Sequence, residues 1–276
     1  MHLVRRLRSA FWGAFQHGQF SIAKAGAYSS ILTLFPAFLV ITSLLEASHQ
    51  TDVFIRQIAA TVGWVLPPEP RSLVMSFFHA NHHQTNRILF SAFIVTLLAA
   101  TGVMISWMEG FRKAYGIPNT WGFWKERARA LYLVFLALLP MTLATVLVVF
   151  GNQIEALVQR DMHLLRPVVL FFWMLGRWAI AILTSITFTA LIYHHGMPKT
   201  QSWRRILPGA IMATALWFPA TMIFGWYVTH YATYTVVYGS LGAAIALLVW
   251  LYILSVIVLV GAEFNALVYP KTIENE

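Results

Sequence analysis

Residues 242–268 read GAAIALLVWLYILSVIVLVGAEFNALV, and the first charge in this run is Glu263. There is no strand-like alternation and no single apolar stripe, only apolar character on every side. At about 1.5 Å per residue such a run covers a hydrocarbon core of about 30 Å. It predicts a transmembrane helix. Working back toward the N-terminus, runs of the same kind occupy 206–228, 167–194, 128–151, 87–108 and 22–46. Six spans follow, arranged as an all-α polytopic membrane bundle, with residues 1–276 forming one integral membrane domain. Composition agrees, because 59% of the 276 residues are hydrophobic and 11% charged, where a soluble domain carries about 25% charged residues.

The net charge of +9 raises nucleic acid as a partner, until the charges are placed. Lys and Arg number four from the N-terminus through Lys24, five in 109–129, three in 195–205 and one in the tail. The alternate segments hold fewer: three in 47–87, two in 152–166 and none in 229–241. Basic residues mark the cytoplasmic side, so both termini are expected in the cytoplasm of a bacterial inner membrane. External labelling of a cysteine at position 200 would contradict that. The charge lies at loop ends rather than along a stripe, so no nucleic-acid partner is expected. The chain has no cysteine, which removes disulfides, thiolate metal sites and cysteine nucleophiles.

Two segments flank or interrupt the spans. Leu3, Leu7, Phe11 and Phe15 recur every four residues with Arg5, Arg6 and Arg8 off that stripe, predicting an amphipathic helix on the membrane surface. Gln16, His17, Gly18 and Gln19 break the apolar run that a signal peptide would need. Between spans one and two, Phe54, Ile58, Val62 and Val65 keep helical spacing before Pro67 and Pro68; Leu73, Val74, Phe77 and Phe78 resume it. Neither half is long enough to cross, which predicts an external helical hairpin in the outer interface. It serves either as a lid or as packing against the bundle.

Polar groups at membrane depth face the bundle interior or a wet cavity. Arg177 lies about ten residues into span four, with Ser29, Ser30 and Thr33 of span one as candidates to solvate it or to share a ligand. A guanidinium suits phosphate or carboxylate, and it is equally able to snorkel or bond within the bundle. Lys24, Glu109, Glu263 and Asn265 fall near the cytoplasmic ends of spans one, two and six. They are expected to form a polar network there, or else a proton or cation site. Pro36, Pro140 and Pro219 kink spans, and Ala23/Ala27 and Gly209/Ala213 allow close helix contact.

His79, His82 and His83 share helical spacing, but a metal site needs a further ligand, and no metal is expected. The chain contains no GxSxG, P-loop, GxGxxG or HExxH, so neither a cofactor nor an enzymatic activity is expected.

Several longer strings are similar to the YihY/BrkB family of bacterial inner-membrane proteins. They are Ala23 through Ser30 with Leu32 through Pro36, Glu109 through Tyr115, Trp203 to Arg205 with Pro208 to Ala210 and Trp217, Tyr238 through Ala246 with Leu248 through Tyr252, and Gly261 through Ala266. The resemblance spans nearly the whole chain. It implies a six-span protein linked with envelope integrity and virulence. A former label, ribonuclease BN, accompanies that family, but no carboxylate or histidine cluster here could hold two metal ions for phosphodiester cleavage.

Three functions stand: binding or moving an amphipathic anion, such as a lipid or lipid-linked envelope precursor; scaffolding envelope partners; and ion-coupled transport through Glu109 and Glu263. The partners these imply are membrane lipids, an anionic lipid substrate, a second copy of the chain or an envelope protein.

Overall fold

The computed structural model describes residues 2–47, 86–138, 140, 166–199, 201–230 and 240–269. Among them are seven α-helices and no strand: α1 (His2–Gln16), α2 (Gln19–Ala47), α3 (Asn86–Ala114), α4 (123–138), α5 (Arg166–His195), α6 (Trp203–His230) and α7 (Ser240–Val268). The protein is an all-α bundle, as its hydropathy requires. Five helices are long and apolar enough to cross a membrane: α2, α3, α5, α6 and α7. α4 covers the first part of the expected 128–151 span, whose remainder lies outside the described residues, as do the expected external hairpin and His79, His82 and His83.

Local chemistry sets the helix ends. Gly18 has φ of 68°, a conformation that a Cβ disfavours, and it separates α1 from α2. At the end of α3, Gly116 has φ of 59°. There the Gly116 amide donates to Lys113 O (3.2 Å) and the Ile117 amide to Arg112 O (2.9 Å). That pairing is a Schellman cap, with Pro118 two residues on to prevent the helix from resuming. Pro36 lies within α2, and Pro208 and Pro219 within α6.

α7 is the hub. It packs against α1, α2, α3 and α6, while α2 also packs on α3 and α5 on α6. In its most apolar stretch 44% of residues are buried, against 11–22% in the other four spanning helices. The outward faces are apolar too: Phe90, Leu98, Leu183 and Ile223 are 61–69% exposed. Side chains of that size, exposed around a whole bundle, are compatible with lipid as the surrounding solvent and not with water.

Among the described residues, the densest core gathers at one end. Met108, Phe111, Leu133, Ile192, Tyr193, Met197, Ile206 and Leu259 are all but inaccessible there. The ring of Phe111 meets that of Tyr193 edge to face at 5.1 Å. Here α1, the α3–α4 and α5–α6 connections and the C-terminus of α7 converge, together with Arg112, Lys113, Lys125, Arg127, Arg129, Lys199, Arg204 and Arg205; this is termed the basic end.

α1 has two apolar faces. Ala10 and Ala14 are fully buried against Val260 and Phe264 of α7, whereas Val4, Phe11, Trp12 and Phe15 are exposed. The four-residue stripe accounts for only part of this. The small residues between its members let α1 seat on the bundle as well as face lipid.

Candidate functional site

The polar groups of the basic end are arranged around Glu263, which is 2% exposed. Its Oε1 accepts from Gln19 Nε2 at 2.8 Å and lies 2.8 Å from His17 Nδ1. Gln19 Nε2 also donates to Gly110 O at 2.9 Å. The second carboxylate oxygen faces Gly13, 3.1 Å from where a Cβ would stand. One buried carboxylate thus joins α1, the α1–α2 turn, α2, α3 and α7. His17 is 44% exposed at its side chain and lines an open groove of about 900 Å³ beside α1, together with Arg8, Trp12, Phe20 and Leu267. Glu263 also lines that groove, beside His17.

Asn265 is fully buried and does something different. Its Oδ1 accepts from the Gly209 amide at 2.6 Å, and its Nδ2 donates to Ile206 O at 2.9 Å. This two-point amide clamp matches donor and acceptor on the α6 backbone close to Pro208, which has no N–H to give. Gly209 and Gly261 meet backbone to backbone beside it, so that a Cβ on Gly209 would overlap Gly261 O and the Asn265 amide. Tyr193 donates from its hydroxyl to Val258 O at 2.6 Å and completes the junction of α5, α6 and α7.

The four residues expected to form one network are therefore distributed among separate partners. Glu263 takes His17 and Gln19, and Asn265 takes the α6 backbone. Glu109 pairs with Lys113 at 3.0 Å, both about half exposed, an i,i+4 pair that contributes a few tenths of a kcal/mol (~0.3–0.5). Lys24 is exposed. The physical reason is helix rotation: Glu263 and Asn265 face inward on α7, while Lys24 and Glu109 sit toward the outer surfaces of α2 and α3. A buried ion pair does exist nearby, between Arg112 and Glu126 at 2.6 Å, with side chains 9% and 17% exposed. It ties the end of α3 to α4. Removing one partner of such a pair costs about 3–5 kcal/mol.

The span-one hydroxyls also have places. Ser30 donates to Gly26 O at 2.8 Å and Thr33 to Ser29 O at 2.7 Å. Ser29 lies against Gly102 of α3, where a Cβ would come within 2.8 Å of its Oγ. Arg177 is in α5; its side chain is outside the described residues.

Sequence reasoning missed His17 and Gln19 as site residues. Their signal was present, since a polar quartet between two apolar helices has to bond to something if the turn is buried. It also missed Tyr115, in the turn after α3. Burial pushes the Tyr115 hydroxyl above its ordinary value, with Arg205 opposing the rise and Glu263 adding to it. That hydroxyl has no hydrogen-bond partner. Among the described residues, no three His, Asp or Glu side chains come together as a metal site.

Cationic and aromatic side chains interleave on the outer rim of the basic end. Arg127 lies over Phe123 at 5.4 Å, and Arg129 over Trp121 at 5.8 Å and Tyr132 at 5.6 Å. Such pairs suit the headgroup layer, where a ring rests on apolar chains beside a hydrated charge.

These features define a polytopic helical membrane protein in which the polar network described gathers at one end of the bundle and the described outer faces are apolar. The chain belongs to the BrkB virulence-factor family, whose model matches residues 11–275. It is 28% identical over 246 residues to the ribonuclease-like protein YfkH of Bacillus subtilis, covering 89% of this chain and 88% of that one. A UPF0761 membrane protein of Tolumonas auensis is 26% identical over 269 residues, with coverage of 95% and 85%. A shorter match, 49% identical over 62 residues, links it to a UPF0761 membrane protein of Alkalilimnicola ehrlichii, covering 22% of this chain and 14% of that one. No solved structure matches significantly.

Proposed function

We propose that this protein binds or translocates an amphipathic anion, a lipid or lipid-linked envelope precursor, in the bacterial inner membrane, with both termini in the cytoplasm. The observation that carries the reading is the position of Arg177 relative to the carboxylates. It is the twelfth residue of α5, about 16 Å along the helix from its start and about 27 Å from its end at the basic end. The three acidic side chains described, Glu109, Glu126 and Glu263, are committed at the basic end to Lys113, Arg112 and His17. A guanidinium at that depth calls for a counter-anion, and an amphipathic anion supplies one along with chains that match the apolar exterior. The reading is non-enzymatic: among the described residues, no nucleophile–base pair or paired acids come together to which a reaction could be assigned.

The test is lipid flipping in proteoliposomes with anionic and zwitterionic reporters, for wild type, Arg177→Ala and Arg177→Lys. Anion-selective flipping that is lost in Arg177→Ala and partly kept in Arg177→Lys is expected. Flipping unchanged in Arg177→Ala would remove the argument. Flux that instead depends on pH and is lost in Glu263→Gln would move the reading to an ion-coupled transporter built on Glu263 and His17.

A further inference from the structure

Several hydroxyls in the described spans return to their own helix. Ser30, Thr33, Thr96, Thr101, Ser106 and Thr189 each donate to a carbonyl three or four residues back, at 2.6–3.0 Å. This is the usual way to satisfy Ser and Thr within lipid. Thr214 and Thr221 of α6 do not. Their Oγ1 atoms are buried without a hydrogen-bond partner, and so are Nε1 of Trp217 on α6 and Nε1 of Trp250 on α7.

Thr214, Trp217 and Thr221 stand at i, i+3 and i+7, which places them on one helix face. Trp250, 6% exposed, packs with Phe224 and Val228, the next turns along that face. Trp217 is at the midpoint of α6, so the strip lies at the depth where water is scarcest. An unmatched polar group is expensive there. All four groups are able to donate, and an indole N–H can do nothing else.

We infer that this strip on α6 and α7 is a binding site for the acceptor oxygens of a lipid, the phosphodiester or ester oxygens that carry lone pairs and no protons. The two indole N–H groups can be satisfied only by an acceptor, and the two hydroxyls are free to donate as well, so the strip as a whole favours acceptor oxygens. The site deepens the proposed anion-binding reading and rests on it for the class of molecule. α5 passes at the same level: the ring of Trp178, next in the chain to Arg177, meets that of Phe218, next to Trp217, at 6.1 Å and 85°.

The experiment uses the full chain, delipidated in detergent and then given phosphatidylglycerol, with retained lipid read by native mass spectrometry and stability by thermal melting. Thr214→Val with Thr221→Val keeps the shape and removes two donors. Without lipid this pair is expected to melt at or above the wild-type temperature, because the hydroxyls bond to nothing in the protein. Retention of phosphatidylglycerol is expected to fall about tenfold or more. Trp217→Phe with Trp250→Phe is expected to repeat the loss of retention. Two further probes separate the oxygens: ether-linked phosphatidylglycerol keeps the phosphodiester without ester carbonyls, and diacylglycerol keeps the esters without the phosphodiester.

Equal retention by variants and wild type, or no retention by wild type, overturns the inference. So does a lower melting temperature of the lipid-free threonine pair, which would mean that the hydroxyls hold the fold together. Flipping that depends on Arg177 but persists in the strip variants would count against this site alone. Retention that depends on the strip, without any flipping, would count against transport alone.

Discussion

Tyr115 carries its hydroxyl into the core of the basic end without a partner to receive it. Burial raises its titration above the ordinary value near 10, so the unfolded chain loses this proton before the folded one does. The stability it contributes is complete below pH ~10 and is lost as pH rises from there toward the folded-state value. Tyr115→Phe should therefore flatten the alkaline fall in melting temperature above pH ~10 and leave neutral-pH stability unchanged or slightly higher. A wild-type and a mutant curve that run parallel from pH 8 to 11 would refute this. Residues were the least legible level of the sequence. That Glu263 and Asn265 were polar at membrane depth was plain, but their partners were not. One binds side chains more than 240 positions earlier, and the other reads backbone on a neighbouring helix. Lys24 and Glu109 were grouped with them because helices apolar on every side have no periodicity to reveal which face turns inward.

α6 and α7 meet backbone to backbone where they cross. Gly209 and Gly261 bring the two backbones into contact, and Asn265 clamps Ile206 and Gly209 next to them. Gly209→Ala is expected to destabilise by about 1–3 kcal/mol, since its Cβ overlaps backbone and a buried amide. Asn265→Ala removes two hydrogen bonds and is expected to cost a similar ~1–3 kcal/mol. The two changes disrupt one junction, so the double variant should lose less than both losses combined. Denaturation in detergent micelles measures all three, and strict additivity would show that the clamp and the glycine contact are independent. The pair Gly209/Ala213 was visible in sequence as a place for close approach, but Gly261 was not visible as its mate, because spacing identifies faces and not partners. α1 shows the same limit: its bulky stripe was legible, while the part of Ala10 and Ala14 in seating it on α7 was not.

The molecule as a whole was the most legible level, because one physical quantity decides it. Apolar runs of spanning length have no stable home but a bilayer, and the described helices meet that demand. The concentration of core at one end was not legible, since hydropathy measures partition into lipid and not the tightness of contact among helices. Orientation is tested simply in a chain that contains no cysteine. Lys125→Cys, at the basic end, should react with an impermeant maleimide only after the inner membrane is opened. Arg87→Cys, at the start of α3, should react in intact spheroplasts. The reverse pattern would invert the proposed topology.

The Asn265 clamp has a mechanical consequence. α6 is fastened to α7 by backbone contact and hydrogen bonds close to its first turn, whereas near its other end the described contacts between the two are those of Phe224, Val228, Ala246, Leu247 and Trp250. Were α6 to pivot as a rigid rod, Gly209 would be its fulcrum. The arm from Gly209 to His230 is about 32 Å, so a swing of about 10° at the fulcrum moves its tip by about 5 Å. Such a swing would part the two helices on the side opposite the basic end while leaving the grip at Gly209 closed.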